Sequence, residues 1–237
     1  MFKGANQFNW DAVDTVLLDM DGTLLDLHFD NYFWLTHLPK RYAETHGVDE
    51  AEAMRRLEAN IKAHEGTLNW YCTEFWSKSL DVNIVELKKE VQSKVQIRPF
   101  VMEFLQTLRQ MNKRLVLVTN AHPHSVDLKF EITNIDRCLD MVISSHQFDH
   151  PKEAQQFWQL LWQQEQFDPE RTLFIDDTVK ILDSARDFGI KHLLCIHQPD
   201  SQREHRQITA YPAFNHFDEI MPKLPLASEI SSQDNKP

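Results

Sequence analysis

The run Val16-Leu17-Leu18 ends on two carboxylates, Asp19 and Asp21, with Gly22 and Thr23 directly behind them. Burying carboxylates costs too much to serve stability alone, so a pair closing an apolar run implies a cation or a reaction. Three further groups carry chemistry of the same kind: Thr119-Asn120, Lys152 within His150-Pro151-Lys152-Glu153, and Asp176-Asp177. Taken singly, each has a plainer reading. Thr119-Asn120 suits a strand-to-helix turn, Lys152 a solvated lysine at a helix start, and Asp176-Asp177 the cap of a following helix. An EF-hand is excluded for the first pair, because the sixth position of such a loop needs glycine and here holds Leu24.

The elements that must position these groups follow from periodicity. Apolar, β-branched segments at Val13–Asp19, Arg114–Thr119, Asp140–Ser144, Thr172–Asp176 and His192–His197 read as strands. Stripes at helical spacing lie between the later ones. Phe100, Phe104, Leu105, Leu108 and Met111 form one, with Pro99 suited to its first turn. Ile181, Leu182, Ala185 and Phe188 form another, closed by Gly189. Strands alternating with helices predict a doubly wound, mostly parallel α/β sheet of Rossmann-like type. In such a sheet ligands gather at the carboxyl ends of the strands, and those ends carry the groups named above.

Between the first two strands the pattern is helical throughout, with helices predicted at about Asp30–His46, Asp49–Ala63, Thr67–Leu80 and Ile84–Gln96. An excursion of this length is too long for one crossover. It suits either a lid over the site or a fixed second helical layer. The expected division is an α/β core over 1–26 and 99–224, a helical cap domain over 27–98, and a disordered tail over 225–237, where periodicity is lost.

The chain has 237 residues and a net charge of −11, which argues against a nucleic-acid polymer or an anionic membrane as partner. Cys72, Cys138 and Cys195 are far apart and form no CxxC, so they read as reduced core thiols. No apolar leader and no run of about 18 apolar residues occurs, and the expected location is the cytoplasm. The sequence leaves the oligomeric state open. With only five glycines, neither GxGxxG nor a Walker A loop can be assembled, so any phosphate is bound by other means.

In order and placement these groups resemble the four motifs of the haloacid dehalogenase-like (HAD) superfamily, most of whose members are phosphatases. Asp19-Met20-Asp21-Gly22-Thr23 corresponds to the first motif, Thr119 to the second, Lys152 to the third and Asp176-Asp177 to the fourth. The long gap before Thr119 matches the helical cap that part of the superfamily inserts there. An acid at Asp21 is similar to the phosphoryl-transferring members and unlike the dehalogenating ones, though phosphomutases share it. One position departs from the pattern: Ile181 stands where many relatives carry an acid or amide, and Asp183 is expected to face elsewhere.

The chemistry gives each group a role. Asp19 is the candidate nucleophile, forming an aspartyl-phosphate. Asp21 protonates the leaving oxygen and then deprotonates the hydrolytic water. Thr119, Asn120 and Lys152 hold the phosphoryl group, with Lys152 also neutralising the nucleophile. Mg2+ suits such an oxygen-rich site. The expected ligands are Asp19, the Met20 carbonyl and Asp177, with Asp176 close by and Asp21 in the same metal-binding group.

Specificity is expected from the helical segment, where Phe29 to Trp34 and Thr67 to Trp76 are rich in aromatics and amides. Asn31, Trp70 and His122 are candidate substrate contacts. Packed cap core is the competing reading, supported by Tyr71 and Phe75 at i, i+4. The segments LLDMDGTLLDLHFDNYFW, TLNWYCTEFW, LVTNAHPHS, HPKE and TLFIDDT together resemble the bacterial GMP/IMP nucleotidase branch of the superfamily. That resemblance implies hydrolysis of purine 5′-monophosphates. A sugar-phosphate phosphatase or phosphomutase with the same core is the alternative.

Overall fold

The structure is a computed structural model and describes residues 8–223. The tail expected at 225–237 lies outside those residues. A six-stranded sheet forms the centre, and every neighbouring pair of strands is parallel. Its strands are β1 (Thr15–Leu18), β2 (Arg114–Thr119), β3 (Met141–Ser144), β4 (Thr172–Asp176), β5 (His192–Ile196) and β6 (Ala213–Phe214). They lie in the order β3-β2-β1-β4-β5-β6. The two-residue β6 carries no periodicity and was not anticipated; Cys195 and Ile196 pair with it at the sheet edge.

Alternation along β1 divides the core in two. Val16 and Leu18 face one apolar cluster with Leu117 and Ile175, whereas Leu17 faces the other with Val118 and Phe174. Both faces are dry, which is why the strands read as unbroken apolar runs. α7 (Val101–Gln110) covers the first face through Phe104, Leu105 and Leu108; α9 (Gln155–Glu165) and α10 (Val179–Phe188) cover the second. Phe100 does not join the α7 stripe. It sits before the helix with φ 64 and is 45% exposed, and Val101 takes the buried place instead. Gly189 closes α10 at φ 114, the left-handed conformation a glycine adopts without a Cβ penalty.

Helices fill the excursion between β1 and β2. They are α1 (His28–Tyr32), α2 (Leu38–His46), α3 (Glu50–His64), α4 (Leu68–Tyr71), α5 (Thr73–Leu80) and α6 (Ile84–Glu90). A π-helical turn at Phe33–His37 joins α1 to α2, so the predicted first helix is one continuous run. The helix expected over Thr67–Leu80 is broken at Cys72 (φ −84, ψ 110), and Trp76 Nε1 bonds the Trp70 carbonyl across the break. Tyr71 and Phe75 therefore do not pair as helical neighbours. The last predicted helix stops at Glu90, and a short 3-10 turn over Gln92–Lys94 follows.

The two ends of the insertion are strapped together. Asp26 N–H donates to the Gln96 carbonyl and Arg98 N–H to that of Leu24, at 2.9 and 3.0 Å. The buried Arg98 guanidinium also donates to the carbonyls of Gln198, Pro199 and Asn215, tying this junction to the loop after β5.

α8 (Pro123–Thr133) begins directly behind β2 and joins the first apolar cluster through Val126 and Leu128. Of the three thiols only Cys195 is buried. Cys72 and Cys138 are half-buried, so the expectation of core placement holds for one of them. Among the described residues no helix is long and apolar enough to cross a membrane.

Candidate active site

β1 has β2 on one side and β4 on the other, so three strand ends converge where the topology reverses. Asp19 follows β1, Thr119 ends β2 and Asp176 ends β4. Carboxylate oxygens of Asp19, Asp176 and Asp177 all lie within 4.8 Å of one another. The ammonium group of Lys152 inserts among them, 2.6 Å from Asp19 Oδ1 and 2.7 Å from Asp176 Oδ2, and also donates to the Val118 carbonyl at 3.1 Å. Lys152 lies in the turn ahead of α9 rather than at a helix start, and it is fully buried.

Glycine at position 22 is what permits this closeness. Gly22 has φ +88, and a Cβ there would stand 2.9 Å from both Asp177 Cγ and Pro199 Cβ. Asp176 Oδ1 accepts the Thr178 N–H at 2.7 Å in the turn ahead of α10, whose N-cap residue Thr178 makes no side-chain cap bond.

The electrostatics suit a divalent cation. Three buried carboxylates face one buried ammonium, and the more exposed Arg206 guanidinium reaches Asp177 Oδ2 at 3.6 Å, which still leaves an excess of negative charge. Burial, opposed by Lys152, pushes Asp19 up to about 7 and Asp176 up to about 6. Burial and the Asp19 charge push Asp177 up to about 6. Lys152 is driven the other way from a typical buried lysine: burial alone would lower it, but Asp176 and Asp19 raise it, so it stays charged. Asp19 Oδ2 is buried with no hydrogen-bond partner. An orphaned carboxylate oxygen, hard donors and uncompensated charge fit an oxygen-liganded dication.

Two members of the expected ligand group are placed differently. The Met20 carbonyl accepts the N–H groups of Thr23, Leu24 and Leu25 at 3.4, 3.0 and 2.8 Å, so the turn occupies its lone pairs. The Asp21 carboxylate stands outside the Asp19–Asp176–Asp177 cluster. Its Oδ1 accepts from Lys129 Nζ at 2.6 Å.

That contact opens a network with no signature in the sequence. Lys129 on α8 also donates to Asp30 Oδ2 at 2.7 Å, and Lys88 on α6 donates to Asp30 Oδ1 at 2.9 Å. Both lysines are buried. Burial would raise Asp30, but the two ammonium groups outweigh it and hold the carboxyl well below its usual range. Asp21 moves upward through burial, against the pull of Lys129. Lysines spaced along two helices look like solvated-face residues until the fold brings them together.

Thr119 Oγ1 accepts the Ala121 N–H at 3.0 Å, and its own O–H can still donate to a ligand oxygen. The Asn120 side chain serves as a brace: Oδ1 accepts the Lys152 N–H at 2.9 Å and Nδ2 donates to Glu153 Oε2 at 3.0 Å. Tyr71 of the helical insertion donates to the other Glu153 oxygen at 2.9 Å. Nothing in the sequence marks Glu153 for this role, and Tyr71, which reads there as packed cap core, instead reaches the site.

Above the carboxylates lies a cavity of about 380 Å³, lined by Asp19, Asp21, Thr119, Lys152, Asp176 and Asp177 and by Asn31, Trp34, Ile61 and Trp70 from the helices. The aromatics divide between the two expected roles. Trp34, Trp70 and the almost fully buried Trp76 border the cavity, whereas Phe29 and Phe33 are buried core. Asn31 Nδ2 donates to Asp200 Oδ2 at 2.7 Å at the cavity wall. His122 does not line this space; its Nδ1 stands 3.0 Å from Thr73 Oγ1, behind the wall. Ile181 closes the cavity where many HAD proteins were expected to be polar, and Asp183 turns away to Tyr211 and Arg186.

Fold and site define a haloacid dehalogenase-like hydrolase, and residues 13–189 match that family, to which the chain belongs. The chain is 41% identical over 215 residues to the GMP/IMP nucleotidase YrfG of Escherichia coli K12, covering 91% of this chain and 97% of that protein. The YrfG protein of Shigella flexneri matches to the same extent. Among solved structures, a HAD phosphatase from Thermococcus onnurineus superposes with a TM-score of 0.73 at 19% identity, over 88% of this chain and 96% of that one. Family and relatives together make this protein a phosphoric monoester hydrolase.

Proposed function

We propose that the protein hydrolyses purine nucleoside 5′-monophosphates, IMP and GMP, to nucleoside and phosphate, with Mg2+ as cofactor and Asp19 as the phosphoryl acceptor. The observation that carries the chemistry is Asp19 itself: a buried carboxylate on the cavity floor, held by Lys152 through Oδ1 with Oδ2 unpartnered. The likeness to YrfG, which spans nearly the whole chain, supports the purine substrate. On this reading residues 27–98 act as a cap domain over a core of residues 1–26 and 99–224, and the enzyme works in the cytoplasm.

Bound Mg2+ would be held by Asp19, Asp176 and Asp177, where it would neutralise the carboxylates and polarise a phosphoryl oxygen. Asp19 attacks phosphorus while the ester bond to the 5′ oxygen breaks. Asp21, whose burial favours the protonated form, delivers its proton to that oxygen. Asp21 then takes a proton from the water that cleaves the aspartyl-phosphate, and inorganic phosphate leaves. Lys152 and the Thr119 hydroxyl offset charge on the transferred group throughout. Trp34 and Trp70 offer flat apolar surface to a purine ring.

Turnover of a panel of phosphate esters with Mg2+ tests this reading. IMP and GMP should be hydrolysed with the highest kcat/KM. Faster turnover of hexose phosphates would overturn the purine assignment, and interconversion of sugar phosphates would indicate a mutase.

A further inference from the structure

Behind the cavity wall, three side chains from separate parts of the chain converge on one point and take no part in the site above. Cys72 lies at the break between α4 and α5, His122 caps α8, and His146 lies in the 3-10 turn after β3. Each offers a ligand atom, and the three atoms lie within 4.8 Å of one another. We propose that Cys72, His122 and His146 bind a borderline-soft divalent cation of the zinc class, joining the helical insertion to the α/β core.

The donors suit such an ion better than they suit ordinary packing. Cys72 Sγ accepts the Phe75 N–H at 3.4 Å at the N-terminus of α5, which fixes the sulfur in place beside the two rings. His146 Nε2 is buried and has no hydrogen-bond partner. Thr73 Oγ1, 3.0 Å from His122 Nδ1, can accept a hydrogen bond from the N–H that the ring carries there when it coordinates through Nε2. The weaker 3.3 Å contact from the His124 N–H to Nδ1 gives way in that state.

The two imidazole rings already meet edge to face, with centroids 4.8 Å apart. Edge-to-face packing alone leaves the orphaned Nε2 beside a thiol without a reason. Three protein ligands, one of them sulfur, match a tetrahedral ion with a fourth position for solvent from the adjoining groove. Sulfur and imidazole discriminate against Mg2+, which stays with the carboxylates. Glu74 and His124 form a second, more exposed grouping around the same His122, and the cysteine distinguishes the two.

Titration with Co2+ in excess Mg2+ reads the site directly, without reference to catalysis. The intact protein should bind one equivalent with tetrahedral visible bands and a near-ultraviolet thiolate-to-cobalt band, and Zn2+ should abolish both. Cys72→Ser keeps an N-cap acceptor for α5 and should lose the thiolate band. His146→Gln should weaken binding roughly tenfold or more, since loss of a ligand exceeds loss of its outer support. Circular dichroism of the metal-free variants checks the fold. Absence of the thiolate band in the intact protein, its persistence in Cys72→Ser, or unchanged affinity in His146→Gln would overturn the proposal.

Discussion

Lys129 Nζ stands 2.6 Å from Asp21 Oδ1 and 2.7 Å from Asp30 Oδ2, so one buried ammonium group serves both the strand-end carboxylate and the first helix of the insertion. The carboxyl assigned to proton transfer is thereby set in charge and position by a residue of α8 that no motif contains. Lys129→Met should leave Asp21 buried without its partner, at a cost of about 3–5 kcal/mol of stability. kcat should fall by about tenfold or more, with a smaller change in KM. Adding Asp21→Asn should restore part of the stability, as measured by denaturant unfolding, because it removes the carboxylate left unpaired, whereas Asp30 keeps Lys88.

Asp19→Asn should abolish phosphate release while the circular dichroism spectrum is retained. It should also reduce the rise in Tm that Mg2+ produces, since one of the three converging carboxylates is gone. Phosphate release at more than a small fraction of the parent rate would remove the covalent role of Asp19.

Stability against pH follows from the raised carboxyl groups of Asp19, Asp176 and Asp177. A carboxyl whose folded pKa lies above its unfolded value contributes stability that is fully present below the unfolded value and is lost as pH rises through the folded one. With folded values of about 7, 6 and 6, the metal-free protein should lose stability between about pH 4 and pH 7. The difference in Tm between pH 5 and pH 8 should be on the order of 5 °C. Mg2+ should remove most of it by stabilising the ionised forms. A metal-free Tm that rises over this interval would contradict the assignment.

Gly22→Ala should be harmful out of proportion to one methyl group. Its Cβ would meet Asp177 Cγ and Pro199 Cβ at 2.9 Å in a backbone conformation at φ +88. A loss of about 2 kcal/mol or more is expected in thermal unfolding, together with weaker Mg2+ binding by calorimetry.

Trp70→Ala should separate substrate recognition from chemistry. KM for IMP should rise by about tenfold, the worth of a lost aromatic contact, while turnover of a small aryl phosphate changes much less. Equal effects on both substrates would place Trp70 outside base recognition.

The sheet and the four motif positions were legible because each is written locally. Val16 to Leu18 and Leu173 to Ile175 are apolar runs buried on both faces, and the groups at their ends stand out against them. What the sequence hid was long-range or a matter of backbone geometry. Lys129, Lys88 and Asp30 meet only after the insertion folds against α8, so none announces itself as buried. The break at Cys72 interrupts a sequence that otherwise reads as one helix, and it swings Trp70 and Tyr71 toward the cavity. The Met20 carbonyl was expected to bind metal because it adjoins Asp19, yet the turn that makes Gly22 necessary consumes it. Asn120 was read as a phosphate contact, and its amide is chiefly a brace between Lys152 and Glu153.

The position of β1 at the middle of the sheet has a kinetic consequence. Thr15 pairs with Arg114 on one side and with Thr172 on the other, so the centre of the molecule closes only after two very long loops have been drawn in. Contacts so distant along the chain make for slow folding, with the early strand waiting unpaired during synthesis. Asp19, Thr119 and Asp176 cannot converge before both loops are closed. Catalytic competence should therefore be the last property to appear on refolding, later than the helical signal of the insertion, whose contacts are local.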